Sequence, residues 1–86
     1  MPKSQFSESY RLFLGVLIAA RKRAGLTQSD LAHRIGKKQT FISIIETGVR
    51  RLDLLEFTAL ARAIGAKPED LFAEVLAVLP DELDIW

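Results

Sequence analysis

Apolar residues recur along this chain at the three- and four-residue spacing of an amphipathic helix, in five separate runs. In the first, Tyr10, Phe13, Leu14, Leu17, Ala20 and Ala24 fall on one stripe. Ser7 and Glu8 stand where a cap and a partner for the helix dipole belong, so the predicted helix starts after Ser7 and runs to Ala24. The second run starts at Thr27, whose hydroxyl can cap while Asp30 returns the bond, and closes before Gly36. A third occupies about Gln39 to Thr47, with Ile42 and Ile45 inward. The fourth opens at Asp53, paired with Glu56 in the same capping pattern, and turns Leu54, Phe57, Leu60, Ala61 and Ile64 to the interior. Pro68 sits in the first turn of the fifth, ahead of Glu69 and Asp70, and Pro80 ends it near Leu79. Gly25, Gly36, Gly48 and Gly65 close the first four runs, and no segment alternates with period two. The expected class is all-α.

Two apolar surfaces are left over. Leu12, Val16 and Ala19 form a second stripe on the first helix, which either the chain's own C-terminal segment or another subunit must cover. The fifth helix is apolar nearly all round, through Leu71, Phe72, Ala73, Val75, Leu76, Ala77, Val78 and Leu79, a pattern that needs cover on both sides. At 86 residues, 49% of them hydrophobic, the chain makes one small domain. A core of that size contributes only about 3–5 kcal/mol, so self-association is expected. The candidate interface residues are Leu12, Val16, Val75, Leu76, Val78, Leu79, Leu83, Ile85 and Trp86.

Composition removes several classes of function. There is no cysteine for disulfides or thiolate metal sites. The longest apolar stretch, Leu12 to Ala20, is far shorter than the roughly 20 residues that cross a bilayer, so no membrane partner is expected. With Lys3 and Arg11 ahead of it the stretch imitates a secretory leader, but Glu8 is misplaced for one, and cleavage would remove a helix the pattern requires. His33 is the sole histidine and has no nucleophile or carboxylate pair at a readable spacing, so an enzyme is not expected. Asp81, Glu82 and Asp84 lack the glycine and ligand order of a calcium loop and read as a solvated acidic tail; no metal or cofactor is expected.

Charge is informative once the chain is divided. Residues 1–52 carry ten Lys/Arg against three acids, a charge of +7, whereas residues 53–86 carry two against eight, a charge of −6. Only the first half suits a polyanion. Within it, two short helices meet at Gly36 in the stretch QSDLAHRIGKKQTFISIIET, with Leu31 and Ile35 inward, the small Ala32 where helices approach, and Ile42 and Ile45 inward again. That is the layout of a helix-turn-helix, whose second helix enters the major groove while the first crosses the backbone.

Other signposts accompany it: Leu17, Arg21, Gly25-Leu26-Thr27-Gln28, Leu31-Ala32, Glu46 and Gly48, Ala61 with Ile64-Gly65, and Pro68 with Leu71-Phe72. Over about residues 13–76 the chain resembles the Cro/cI-type repressors, also called XRE-family regulators. The resemblance implies a compact five-helix, lambda-repressor-like DNA-binding domain with a short apolar and acidic C-terminal extension. It also implies that the domain acts as a dimer on a two-fold symmetric operator. The expected division is a DNA-binding domain over residues 1–79, with its helix-turn-helix at about 27–47, and a tail over 80–86 that can serve dimerisation.

On this footing Lys38, Gln39, Thr40, Ser43 and Ile44 are the candidate base contacts, Gln39 foremost, since a glutamine amide can bond adenine through N6 and N7. Thr27, Gln28, Lys37, Arg50 and Arg51 are candidate phosphate contacts; for Arg50 or Arg51 a helix-four acid, Asp53 or Glu56, is the competing partner. Gln28 gains from the unpaired N–H groups at the start of its helix. Arg21 and Glu46 occupy positions that in this family form an ion pair between the first and third helices. The chain departs from the family pattern in four places. Lys37 replaces an apolar turn residue and Lys38 a Ser/Thr cap, so an irregular start to the third helix is expected. Phe41 and Ile44 put apolar groups near the DNA face, Phe41 to pack and Ile44 to meet a methyl or sugar. The expectation is a cytoplasmic, homodimeric regulator of double-stranded DNA, most simply a repressor. The alternative is an antitoxin-like or adaptor module that binds a protein partner through the C-terminal helix.

Overall fold

A computed structural model of the protein describes residues 7–84, and five helices account for most of them. They are α1 (Glu8–Arg23), α2 (Gln28–Arg34), α3 (Gln39–Glu46), α4 (Leu54–Ile64) and α5 (Pro68–Val78). Their starts are chemically marked. Ser7 Oγ accepts the Tyr10 N–H, and Thr27 with Asp30 and Asp53 with Glu56 form two reciprocal capping boxes. Pro68 opens α5, where its missing N–H is not needed. α3 alone among the first four has no side-chain cap: Lys38 is extended and makes no capping bond, and the Phe41 N–H donates to the Lys38 carbonyl at 2.9 Å, a tighter three-residue bond at the helix start. Gly65 ends α4 at φ +94°, a left-handed conformation that a Cβ would strain.

The core lies where α1, α4 and α5 meet the α2–α3 pair. Leu17, Leu31, Ile42, Ile45 and Leu71 are the largest fully enclosed side chains, each stabilising the fold by about 1.5–3 kcal/mol through burial. Several positions differ from the periodic expectation. Leu54 is 72% exposed rather than buried, because it occupies the first residue of α4, before the helix has turned its apolar face inward. Ala24 is exposed beyond the end of α1, and Arg21, three residues before it and on neither apolar stripe, is buried instead. Val75, expected at a subunit interface, is 3% exposed within the single protomer and has no surface to offer. Phe72 at 47%, Leu76 at 57% and Val78 at 43% are the large apolar residues that α5 leaves outward. Leu12 is half-buried, and Val16 and Leu79 are half-buried against the protomer's own core. Ile85 and Trp86 lie outside the described residues.

The acidic tail is not uniformly solvated. Asp84 accepts the backbone N–H groups of Glu8 and Ser9 at 3.2 and 3.1 Å, and the Ser9 hydroxyl as well. A carboxylate from the far end of the chain thus joins Ser7 in capping α1, where the helix dipole favours negative charge. Leu83 lines the same apolar groove as Tyr10, Phe13 and Leu79, and neither Leu12 nor Val16 lines it. Among the described tail residues, Leu83 thus flanks the Tyr10–Phe13 side of α1.

The Ser9 hydroxyl, then the backbone N–H groups, hold the Asp84 carboxyl below its ordinary 3.8. A carboxyl lowered by folding contributes stability that is complete above its unfolded value and is lost as pH falls through the folded one. Below about pH 4 the thermal midpoint is expected to drop as this cap protonates. Asp84→Asn should start lower at neutral pH and lose less on acidification. Parallel slopes for the two proteins in an acid series of melting curves would remove Asp84 from that role.

Candidate nucleic-acid interface

α2 and α3 pack directly on each other, with Ala32, 1% exposed, permitting the close approach. The turn between them reverses at Gly36, φ +70°, where L side chains are strained, and the Lys37 N–H closes it by donating to the Ala32 carbonyl at 2.9 Å. Lys37 thus fills a usually apolar position by its backbone, leaving its side chain exposed. Lys38, Gln39 and Thr40 are exposed on the first turn of α3, Ser43 is half-buried, and Ile44 is 38% exposed. These five residues share one helical face and its leading end.

Behind that face lies a buried ion pair. Arg21 Nε and Nη2 donate to the two Glu46 oxygens at 2.7 and 2.9 Å, and Nη1 donates to the Leu26 carbonyl at 2.7 Å. Their side chains are 8% and 6% exposed, so α1 fixes the end of α3 through a bidentate contact shielded from water. Gln28 sits against the same carboxylate. Its Nε2 donates to Glu46 Oε1 at 2.9 Å, and its Oε1 accepts from Gln39 Nε2 at 2.6 Å. The residue expected to bond phosphate is thus held first by protein groups, with one N–H remaining. Thr27 is engaged in its capping box with Asp30; the Thr27 backbone and hydroxyl groups lower that carboxyl.

The cations are organised by aromatic rings that sequence inspection did not assign to the task. Phe41 is half-buried, and Lys37 Nζ and the Arg50 guanidinium lie 5.3 and 5.2 Å from its ring centre. Arg50 also donates to Glu56, the competing acid foreseen for this loop. That contact raises the Arg50 pKa, and with the Asp53 N–H it lowers Glu56 from its ordinary 4.5. Arg51 stacks 4.4 Å from the centre of the Tyr10 ring, and the Tyr10 hydroxyl accepts the Leu52 N–H at 2.9 Å, tying the loop after α3 to the first turn of α1. Arg34 Nη1, donating to the Ala63 carbonyl at 2.8 Å, braces α2 against α4. The usable clue was the pairing of an aromatic with flanking cations. Phe41 between Lys37 and Arg50 is not a helical repeat and becomes one cluster only when the chain turns after α3.

An exposed α3 face, braced by a helix that crosses its start and flanked by cations, defines a helix-turn-helix of the DNA-binding type. A family model described as helix-turn-helix matches residues 17–72. A solved structure described as an XRE-family like protein from Pseudomonas syringae pv. tomato str. DC3000 is 41% identical, with a TM-score of 0.78. The match covers 85% of this chain and 89% of that one. No curated protein matches the chain. The chain belongs to the XRE-type helix-turn-helix family, a family of DNA-binding regulators and not of enzymes. Among the described residues no helix is long and apolar enough to cross a membrane.

Proposed function

We propose that the protein is a cytoplasmic repressor that binds a palindromic double-stranded DNA operator as a homodimer, placing α3 of each protomer in the major groove. The observation that carries this is the state of Gln39: exposed at the leading end of α3, its amide steadied by Gln28. That bond uses one N–H and leaves the second N–H and Oε1, the pair that adenine N7 and N6 require. Lys38, Thr40, Ser43 and Ile44 complete the base-facing set, with Ile44 against a thymine methyl. Lys37, Arg50 and Arg51, held on aromatic faces, take backbone phosphates, as do Thr27 and Gln28 at the start of α2. Residues 1–79 form the binding domain, and the tail joins the outward residues of α5, Leu76 and Val78, with Leu83, in the subunit contact. Such a contact needs about 1,200 Å² of buried surface.

Selection of duplexes from a random pool, followed by footprinting, tests the proposal. The expected product is an inverted repeat whose half-sites lie about 34 Å apart, one helical turn. Gln39→Ala should abolish preference at one position per half-site and reduce discrimination there by about 1–3 kcal/mol. An unchanged preference in Gln39→Ala removes Gln39 as reader. A monomer by light scattering at the concentrations that footprint the operator removes the dimer.

A further inference from the structure

Arg50, one of the cations beside the α3 face, is held from three sides. Its guanidinium lies 5.2 Å from the centre of the Phe41 ring, Nη1 donates to the Arg51 carbonyl at 3.3 Å, and Nη2 donates to Glu56 Oε2. The Glu56 carboxylate is pinned as well. Its other oxygen, Oε1, accepts the Asp53 N–H at 3.0 Å and completes the capping box of α4. Glu56 is therefore a fixed negative charge at a helix start, where the dipole favours it, and swinging aside would break the box. The pair nevertheless stands at the surface. With side-chain exposures of 40% and 29%, it leaves the guanidinium within reach of a phosphate.

We infer that Glu56 is an internal competitor for the phosphate at Arg50, an attenuator that lowers affinity for every duplex without altering base preference. The inference rests on Arg50 meeting a backbone phosphate, as proposed above. A guanidinium grips an oxyanion through one of two forked edges, and both edges include Nη2, the nitrogen already bonded to Glu56. An arriving phosphate must displace the carboxylate or sit beside it. The first course loses an ion pair and the second sets two anions against each other, so each opposes binding. Glu56 also orients Arg50, which favours binding. That help is largely redundant, because the Phe41 ring and the Arg51 carbonyl hold the side chain without it, and the Arg50 N–H, donating to the Ile44 carbonyl at 3.0 Å, fixes its root. The opposition therefore wins. Neither residue belongs to the base-facing set, so the effect falls on the sequence-independent part of binding.

The test measures the affinity of the full chain, Glu56→Gln, Arg50→Ala and the double variant for the selected operator and for a duplex of unrelated sequence, over a range of salt. Glutamine can accept the Asp53 N–H as glutamate does, which retains the capping box, and circular dichroism checks that each variant folds. Glu56→Gln is expected to tighten both duplexes by one common factor, about 5- to 30-fold for the dimer. In the Arg50→Ala background the same substitution should alter neither affinity by more than about twofold. Unaltered or weaker binding in Glu56→Gln would overturn the inference, and weaker binding would make Glu56 a positioning residue that presents Arg50. A gain that persists in the Arg50→Ala background would overturn it too, since the charge of Glu56 would then act at a distance and not through the contact. An Arg50→Ala variant with unaltered affinity and salt slope identifies a different failure, that of the phosphate contact itself.

Discussion

Glu46→Ala is expected to lower the stability of this domain by about 3–5 kcal/mol, because it strands the Arg21 guanidinium in the core with one carbonyl for company. The magnitude follows from burial. At 8% and 6% exposure neither member can recover its hydration when the other is removed, whereas a surface pair would contribute 1 kcal/mol or less by the usual estimate of about 0–1. For a domain of this size each kcal/mol moves the thermal midpoint by about 4–8 °C, so a fall of roughly 12 °C or more is expected. Since a core this small supplies only about 3–5 kcal/mol, the variant approaches unfolding at room temperature. Replacing both members together with apolar residues of similar size, Arg21→Met with Glu46→Leu, should restore most of the stability, because no uncompensated charge remains. A midpoint displaced by only two or three degrees (about half a kcal/mol) in Glu46→Ala would show that water reaches the pair.

Binding to the operator is expected to weaken by about 10⁴ between 50 and 200 mM monovalent salt. Four cations flank each recognition face: Lys37, Arg50 and Arg51 at the phosphates, and Lys38, which can reach a phosphate as well as a base. A dimer that neutralises about eight phosphates gives a slope of log K against log salt near −7, and a fourfold change in salt then amounts to about four powers of ten. Arg51→Ala should weaken all duplexes alike and reduce the slope by about 2, one phosphate from each protomer. The same titration discriminates among other accounts of the protein. An adaptor retains no duplex, a nonspecific basic protein binds every duplex with one curve, and a slope shallower than about −2 would exclude the proposed phosphate contacts.

The carboxyl-terminal half carries the negative charge of the chain. Its eight acids among residues 53–86 lie at the start of α4, on α5 and in the tail. Four of them are structurally employed: Asp53 in the capping box of α4, Glu56 against Arg50, Glu74 against Arg23 and Asp84 at the start of α1. Asp84 was legible only as an acid near the end of the chain. Its partner is 75 residues away in sequence, and a cap delivered across that distance leaves no local pattern. The cap and the Leu83 contact together tie the tail to α1 at the groove formed with Tyr10 and Phe13.

Helix starts were the most readable features, because a capping box is closed within four residues: Thr27 with Asp30, Asp53 with Glu56. The inward faces of α2 and α3 followed from periodicity for the same local reason, and Leu31, Ile42 and Ile45 are indeed enclosed. Periodicity failed at helix ends and for long amphipathic side chains. Leu54 and Ala24 sit at the margins of their helices, where matching the repeat does not ensure burial. Arg21 is charged, yet its aliphatic stem follows the apolar stripe while its head finds acceptors inside.

What the amino-acid order determined by itself was the number of helices, their limits, the turn at Gly36 and the segregation of charge, all set by contacts between near neighbours in sequence. The tertiary structure alone decided the roles of Gln28, Phe41, Tyr10 and Asp84, since each role is created by a partner from another element. Gln28 and Gln39 are eleven residues apart, and Gln28 and Glu46 eighteen. Hydrogen bonds act over about 3 Å, so only the folding of α3 onto α1 and α2 could join those side chains into one hydrogen-bonded chain.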